Sequence, residues 1–127
     1  MNKNTILVID DEKDFLEIIR TNLENHGFKV IATQNPVEGL KIAEKKKPDL
    51  IILDVIIPEI NGFQCCKEIR QNPQLKNTPI IMLSCKNQDE DIQWGLNSGA
   101  NEYLIKPFNA EDLIDIIHSY LKAKAAA

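Results

Sequence analysis

Five short runs of apolar residues, rich in Ile, Val and Leu, recur along the chain and alternate with longer segments of helical periodicity. The runs cover residues 5–9, 29–32, 50–53, 80–83 and 102–105. Strands that are apolar along their whole length are typical of parallel sheets covered on both faces, and such strands are joined by right-handed helical crossovers. The pattern predicts an α/β fold, a three-layer α/β/α sandwich with a five-stranded parallel sheet and five helices.

Turn and capping residues mark the ends of the predicted helices. The first ends near Gly27, which can adopt left-handed backbone geometry. The second begins at Asn35-Pro36, since Asn can cap a helix and Pro fits its first position, and runs to about Lys46. The third begins at Asn61-Gly62, the fourth covers 88–97, and Asn109 caps the last. The apolar stripe of the first helix comprises Phe15, Ile18, Ile19 and Leu23.

Length and composition indicate a single domain over residues 1–127, with a core at 5–122. A chain of 127 residues with 43% hydrophobic content can bury a continuous core, and no linker rich in Gly, Ser or Pro divides it. The closing KAKAAA has low complexity, so 123–127 are expected to form a disordered tail or a remnant of cloning. Cys65, Cys66 and Cys85 lack CxxC spacing and are expected to be reduced.

Charge and hydropathy argue against two classes of direct partner. The formal net charge of −4 provides no global positive field to hold nucleic acid or an anionic membrane. No apolar run approaches the roughly 20 residues of a membrane helix, and residues 1–5 lack the features of a secretory signal. We therefore expect a cytoplasmic protein that contacts neither nucleic acid nor membrane directly.

Polar side chains follow four of the predicted strands where each strand ends. Asp10 and Asp11 follow the first, Asp54 the third, Ser84 the fourth and Lys106 the fifth. Because ligands of such sheets bind beyond the carboxyl ends of the strands, we expect these groups to converge on one rim.

The residue types on this rim predict a chemistry. Three carboxylates repel one another, and at least one would retain its proton unless a cation lay between them. Hard oxygen ligands suit Mg²⁺, which also favours phosphate oxygens. The Ser84 hydroxyl and the Lys106 ammonium would then face a phosphoryl group delivered to Asp54. Taken singly, each residue also has a structural interpretation, since aspartates often cap helices and a Lys-Pro pair often forms a turn.

The sequence resembles the receiver domain of two-component response regulators over residues 5–122. The resemblance is carried by Asp10-Asp11, Asp54 with Pro58 and Gly62 behind it, Ser84, and Lys106-Pro107-Phe108. It implies the flavodoxin-like strand order 2-1-3-4-5. It also implies a signalling phosphoacceptor rather than an enzyme, active only in its own phosphorylation and dephosphorylation.

The resemblance also implies roles for individual residues. Asp54 would be the phosphoacceptor, in a Mg²⁺-dependent reaction. The metal ligands would be Asp10, Asp11, Asp54 and the backbone carbonyl of Ile56. Ser84 would bind a phosphoryl oxygen, Lys106 would pair with it, and Tyr103 with Ser84 would form the switch.

The partners implied are a sensor histidine kinase or histidine phosphotransfer protein as donor, and a downstream effector. The effector would bind the face made by the fourth helix, fifth strand and fifth helix, on which Trp94 is expected to report. Phosphorylation-dependent homodimerisation is left open.

Three positions depart from the family pattern: Ile57 where Met is common, Ser84 where Thr is common, and Cys85 where a small residue is common. Ser84 keeps the hydroxyl, whereas Cys85 could hinder access of the phosphodonor. Ile56 and Lys86 stand at the family's rate-setting positions and offer no carboxylate or amide to orient a water. This predicts a long-lived phosphorylated form.

The same residues also bear on three rival functions. A haloacid-dehalogenase-like phosphatase would need an acid two residues after Asp54, where Ile56 stands. A flavin-binding carrier would need a phosphate-cradling loop after the first strand, where Asp10-Asp11-Glu12 would repel phosphate. A receiver-like interaction module that is never phosphorylated is the serious alternative.

Overall fold

A computed structural model describes residues 3–54, 62–84, 89–106 and 108–126, with the backbone alone at 89–91 and 123–126. Strands and helices alternate along the chain. The strands are β1 (Thr5–Ile9), β2 (Lys29–Thr33), β3 (Leu50–Asp54), β4 (Ile80–Ser84) and β5 (Glu102–Ile105). The helices are α1 (Lys13–Asn25), α2 (Pro36–Lys46), α3 (Gly62–Gln71), α4 (Asp89–Asn97) and α5 (Ala110–Ala126).

The five strands form one sheet in the order β2-β1-β3-β4-β5, and every neighbouring pair is parallel. This confirms the predicted sandwich and the flavodoxin-like order. Strands β2, β3 and β4 each extend one residue beyond the predicted run, to Thr33, Asp54 and Ser84. The apolar run ends at the first polar side chain, but backbone pairing continues through it.

The predicted capping residues act as expected in the described ranges. Gly27 has a positive φ of 88° just after α1. The Asn35 side chain accepts a hydrogen bond from the backbone N–H of Glu38 at 3.0 Å, and that of Asn109 accepts one from Glu111 at 2.8 Å. Each cap satisfies an N–H that the first helical turn would otherwise leave unpaired.

The core has two halves, one on each face of the sheet. One half packs side chains of α1 and α5 against the sheet, and the other packs side chains of α2 and α3 against the opposite face. Each fully buried aliphatic side chain contributes about 1.5–3 kcal/mol by leaving water. Strands covered on both sides explain why the sequence runs are continuously apolar.

The predicted stripe of α1 is wrong at one position. Ile18 is 60% exposed, whereas Leu16, Ile19 and Leu23 are buried. Residues in an α-helix are spaced by about 100° around the axis, so Leu16, Ile19 and Leu23 share the face toward the sheet and Ile18 turns away from it. An exposed isoleucine on α1 is a feature that the sequence did not predict.

The last helix extends further than predicted, and two of the three cysteines are buried. The backbone of α5 continues as helix to Ala126, so the tail predicted at 123–127 is helical over its first four residues, as its strong helix formers Ala and Lys favour. Cys65 and Cys66 are buried free thiols, as expected. Among the helices in the described ranges, none has the length and apolarity required to cross a bilayer.

Candidate functional site

The carboxyl ends of four strands bring the predicted polar residues to one edge of the sheet. Asp10 and Asp11 directly follow β1, Asp54 ends β3, Ser84 ends β4 and Lys106 follows β5. The register aligns these ends, since Asp54 is the partner of Leu83 and Ser84 the partner of Ile105. The parallel topology alone therefore gathers residues that lie up to 96 positions apart.

Asp10, Asp11 and Asp54 form a compact acidic cluster. Each offers one carboxylate oxygen, and these atoms all lie within 4.8 Å of one another. Asp10 is 1% exposed and Asp54 is 5% exposed, so water screens their repulsion poorly. An octahedral Mg²⁺ holds oxygens at about 2.1 Å, which places ligand pairs about 3–4 Å apart. The cluster therefore supplies the ligand type that Mg²⁺ prefers, on oxygens no more than 4.8 Å apart.

Asp10 is held by two hydrogen bonds, one to each carboxylate oxygen. The backbone N–H of Glu12 donates to Oδ1 at 2.9 Å, and the Lys106 ammonium donates to Oδ2 at 2.9 Å. The first bond closes a turn at the start of α1, whose N-cap Glu12 makes no side-chain cap bond. Asp10 thus combines the structural interpretation offered by the sequence with a position in the acidic cluster.

The Lys106 ammonium lies between two of the three acids. Its Nζ is 2.9 Å from Asp10 Oδ2 and 3.8 Å from Asp54 Oδ2. Burial alone would lower the pKa of Lys106, but the hydrogen bond to Asp10 and the charges of Asp10, Asp54 and Glu12 outweigh it and raise the pKa. The side chain is therefore a fixed positive charge at neutral pH.

An aromatic ring that sequence reasoning had assigned to the core also belongs to this site. Lys106 Nζ lies 4.1 Å from the centroid of the Phe15 ring, over its face. The Phe15 ring in turn meets Phe108 edge to face, with centroids 6.1 Å apart and an interplanar angle of 83°. A contact between a loop lysine and a helix aromatic depends on packing, so the sequence offered no signal for it.

Ser84 is fully buried at the end of β4. Its backbone carbonyl accepts a hydrogen bond from the Lys106 backbone N–H at 2.8 Å, which ties the ends of β4 and β5 together. The candidate hydroxyl and the candidate ammonium are therefore anchored to each other through the backbone.

Tyr103 is half-buried on β5, opposite Met82 of β4. Its ring packs against Gly95 of α4 so closely that a Cβ built on Gly95 would lie 2.6 Å from Tyr103 Cδ2. The absence of a side chain at Gly95 creates the space that the ring fills. Tyr103 thus contacts α4 through Gly95, a contact that was not predicted. The switch role of Tyr103 remains a prediction.

Trp94 lies on α4, as predicted, and its ring also contacts α3. It is 57% exposed, and its ring centroid lies 6.3 Å from that of Phe63 on α3. The contact with Phe63 makes Trp94 sensitive to α3 as well, and its use as a reporter of the face made by α4, β5 and α5 remains a prediction.

Several residues named in the sequence analysis lie outside the described ranges. They are Ile56, Ile57, Pro58, Asn61, Cys85, Lys86 and Pro107. The carbonyl ligand at Ile56, the obstruction at Cys85 and the slow hydrolysis attributed to Ile56 and Lys86 remain predictions.

A cleft of about 420 Å³ opens beside the acidic cluster, between α1 and the start of α5. Its lining residues are Glu12, Phe15, Ile18, Ile19, Asn22, Lys106, Phe108 and Ala110. A second cleft, of about 390 Å³, lies between α2 and α3 and includes none of the predicted site residues. Lys106 is part of the wall of the first cleft.

Comparisons with known proteins agree with this geometry. A family model described as the response regulator receiver domain matches residues 6–118. The alkaline phosphatase synthesis transcriptional regulatory protein PhoP of Bacillus subtilis is 39% identical over 127 residues, which is all of this chain and 52% of that protein. Protein PilH of Pseudomonas aeruginosa is 33% identical over 116 residues, which is 91% of this chain and 96% of PilH.

A solved structure of a response regulator is also similar to this chain. The chemotaxis response regulator CheY4 of Vibrio cholerae matches with a TM-score of 0.88 at 33% identity, over 94% of this chain and 99% of that one. The chain spans about half the length of several curated relatives, the Bacillus protein among them, and nearly all of PilH.

Proposed function

Because the chain belongs to the response regulator receiver family, we propose that it accepts a phosphoryl group on Asp54 from a histidine kinase or a histidine phosphotransfer protein. The observation that carries the proposal is the juxtaposition at the sheet edge, where Asp54 lies beside two further carboxylates and one ammonium. A carboxylate so placed is a nucleophile surrounded by groups that can manage phosphate charge. We also propose that the chain acts as one domain.

The transfer requires one bond to form and one to break. A carboxylate oxygen of Asp54 attacks phosphorus, an acyl phosphate forms, and the bond between phosphorus and the donor's histidine nitrogen breaks, with its electron pair leaving on that nitrogen. Lys106, 3.8 Å from Asp54 Oδ2, is within reach of a phosphoryl oxygen after a small movement. Ser84 would donate its hydroxyl hydrogen to another such oxygen.

Mg²⁺ would be held by Asp10, Asp11 and Asp54, with the Ile56 carbonyl as the further ligand that the family resemblance implies. When bound, the ion offsets the negative charge that builds up between the carboxylates and the phosphoryl oxygens. The protein's contribution is to hold Asp10 rigidly, through its bond from the Glu12 N–H, and to keep the cluster largely shielded from water.

The donor protein must reach Asp54 from outside, and the cleft beside the cluster supports an approach over α1. Its walls are mostly apolar, and they include the 60% exposed Ile18 next to Phe15 and Phe108, so that several apolar side chains share one surface. We place the donor's contact on Phe15, Ile18 and Phe108 because this surface adjoins the acceptor site.

The output face is proposed to be α4, β5 and α5. A backbone hydrogen bond joins Ser84 and Lys106. Tyr103 on β5, three residues before Lys106, packs against Gly95 of α4. A phosphoryl group that draws Ser84 and Lys106 toward Asp54 would favour a packing in which Tyr103 shifts. The switch is then a change in the populations of two packings, since phosphate binds one more strongly than the other.

Incubation with acetyl phosphate and Mg²⁺, followed by intact mass measurement, tests the proposal. Wild type should gain the mass of one phosphoryl group, and Asp54→Asn should gain none. Asp49→Asn is the matched control, because Asp49 lies at the opposite end of β3, where its carboxylate accepts a bond from the Thr5 N–H at 2.7 Å. If wild type gains no mass, the chain is an interaction module that is not phosphorylated.

A further inference from the structure

The Lys106 ammonium has carboxylates on one side and an aromatic face on the other. Its Nζ lies 2.9 Å from Asp10 Oδ2 and 4.1 Å from the centroid of the Phe15 ring. An ammonium within about 6 Å of a ring face is attracted by the quadrupole of the ring. Since the Lys106 side chain is only 11% exposed, water competes weakly with both contacts.

The ring holds the ammonium in a way that an aliphatic side chain could not. Leu or Ile at position 15 would remove water from the charge and return no electrostatic attraction, so the ammonium would be free to withdraw. A ring face attracts the charge without donating or accepting a proton. The N–H groups of Lys106 therefore stay available for carboxylate or phosphoryl oxygens.

The orientation of the Phe15 ring is itself fixed. Phe108 meets it edge to face, and both rings pack against the half of the core that lies under α1 and α5. Phe15 comes from α1, while Phe108 is two residues beyond Lys106 in the chain. The lysine is thus set between an anchored ring and an anchored carboxylate.

We infer that Phe15 is a positioning residue whose ring face holds the Lys106 ammonium over the acidic cluster, between Asp10 and Asp54. The placement concerns the chain alone. Its use in binding a phosphoryl group rests on the function proposed above. Phe15 also lines the cleft beside the cluster, so a partner seated there would touch the support of the lysine.

A double-mutant cycle without any phosphoryl analogue tests the placement. The unfolding equilibrium is measured for wild type, Phe15→Leu, Lys106→Met and the double variant, with Phe28→Leu combined with Lys106→Met as the matched control. Phe28 is a buried aromatic in the same half of the core that contacts His118 instead. We expect Phe15 and Lys106 to be coupled about threefold or more, and Phe28 and Lys106 to be uncoupled. Equal coupling for the two phenylalanines would overturn the inference.

A spectroscopic signature accompanies the cycle. The ε-methylene group of Lys106 is bonded to Nζ, which lies 4.1 Å from the centroid of the Phe15 ring. Its proton NMR signals should therefore carry a ring-current shift that Phe15→Leu removes and Phe15→Tyr retains. Signals that are unchanged in Phe15→Leu would show that the ammonium is not held by the ring.

The affinity for beryllofluoride with Mg²⁺, a stand-in for the phosphoryl group, tests the use of the placement. We expect Phe15→Leu to weaken binding several-fold, Phe15→Tyr to restore it, and Phe28→Leu to leave it unchanged. Undiminished binding by Phe15→Leu would overturn a positioning role toward phosphate, even with the coupling present. A wild type that does not bind beryllofluoride at all would instead contradict the proposed function, while the cycle and the ring-current shift still decide the placement.

Discussion

Lys106 Nζ lies 2.9 Å from Asp10 Oδ2, so the ammonium at the end of β5 contacts a carboxylate that also belongs to the acidic cluster. The proposed metal ion and the lysine therefore share one acidic residue. A Mg²⁺ ion and an ammonium that contact the same carboxylate repel each other, and the repulsion is strong where the surroundings exclude water. Metal binding and the position of Lys106 must be linked.

Replacing Lys106 by Met should raise the affinity for Mg²⁺ several-fold, because the competing charge is removed. The same variant should be less stable without metal, because three clustered carboxylates lose their cation. Asp11→Asn should change the affinity in the opposite direction by removing a ligand charge. Titration calorimetry measures both, with Lys41→Met on α2 as a control, and weaker Mg²⁺ binding by Lys106→Met would contradict the competition.

Replacing Gly95 by Ala should destabilise the protein by about 1–2 kcal/mol through overpacking. The added Cβ would lie 2.6 Å from Tyr103 Cδ2 and 3.1 Å from Met82 Sδ. In a Tyr103→Leu background the same change should be neutral or stabilising, since Ala favours a helix over Gly by about 1 kcal/mol. Urea unfolding gives both values. A wild type stabilised by Gly95→Ala would mean that the ring leaves its seat freely.

The strand-terminal residues could be predicted because parallel topology fixes where they gather. Asp10, Asp54 and Ser84 each follow a continuous apolar run, and no detail of side-chain packing is needed to bring such positions to one edge of the sheet. Helix caps at Asn35 and Asn109 were equally local, since the capping side chain and the N–H it accepts from are two or three residues apart. Information of this kind is present in short stretches of sequence.

Contacts between side chains of different helices and strands could not be predicted from the sequence. Ile18 has the right residue type for a core position, but the geometry of α1 turns it outward. The contacts of Phe15 with Lys106 and of Tyr103 with Gly95 join elements that are distant in the chain. Trp94 could be placed on α4, but its contact with Phe63 required the relative position of α3 and α4. Such contacts follow from packing and not from periodicity.

Arg70, at the edge of the sheet opposite the acidic cluster, joins several loops through the hydrogen bonds of its guanidinium. Its guanidinium donates to Leu75 O at 3.0 Å, Thr78 O at 2.7 Å and Gly99 O at 2.8 Å, and to Asn101 Oδ1 at 2.7 Å. Burial lowers the pKa of Arg70, because the charged guanidinium loses hydration, and these hydrogen bonds offset that cost.

Replacement of Arg70 by Lys should cost about 2–4 kcal/mol, because one ammonium cannot reach all the acceptor oxygens that the planar guanidinium spans. Lys67→Ala on the same helix is exposed and should change stability by less than about 0.5 kcal/mol. Chemical denaturation compares the two variants, and an Arg70→Lys protein as stable as wild type would show that the bonds contribute little.

The raised pKa of Tyr120 should make the stability of the protein depend on pH in the alkaline range. Burial, and then a hydrogen bond from its hydroxyl to Glu102 at 2.9 Å together with the Glu102 charge, raise the pKa of Tyr120 to about 12. The unfolded chain has a tyrosine pKa of about 10. Between these two values the folded state binds more protons, so the free energy of unfolding falls as pH rises.

Replacing Tyr120 by Phe should therefore flatten the loss of stability between about pH 10 and pH 12. Glu102→Gln should flatten it only in part, since burial remains. Urea unfolding at several alkaline pH values measures the slopes. Identical slopes in wild type and Tyr120→Phe would contradict the prediction.

Beryllofluoride with Mg²⁺ should act on two sides of α4 at once. The helix begins five residues after Ser84, its Gly95 covers Tyr103, and its Trp94 ring lies 6.3 Å from Phe63. If a phosphoryl-like group draws Ser84 toward Asp54, α4 and Tyr103 should adjust together, because the helix and the ring share one packed contact. Amide signals around Tyr103 should therefore shift, and Trp94 emission should change because its contact with α3 changes.

Ser84→Ala should abolish both responses while retaining binding at Asp54, and Asp54→Asn should abolish binding as well. Ser119→Ala, in which an exposed serine of α5 loses its bond to Ile116 O, should respond as wild type does. Amide changes confined to the residues next to Asp54 would mean that the protein accepts the group without switching this face.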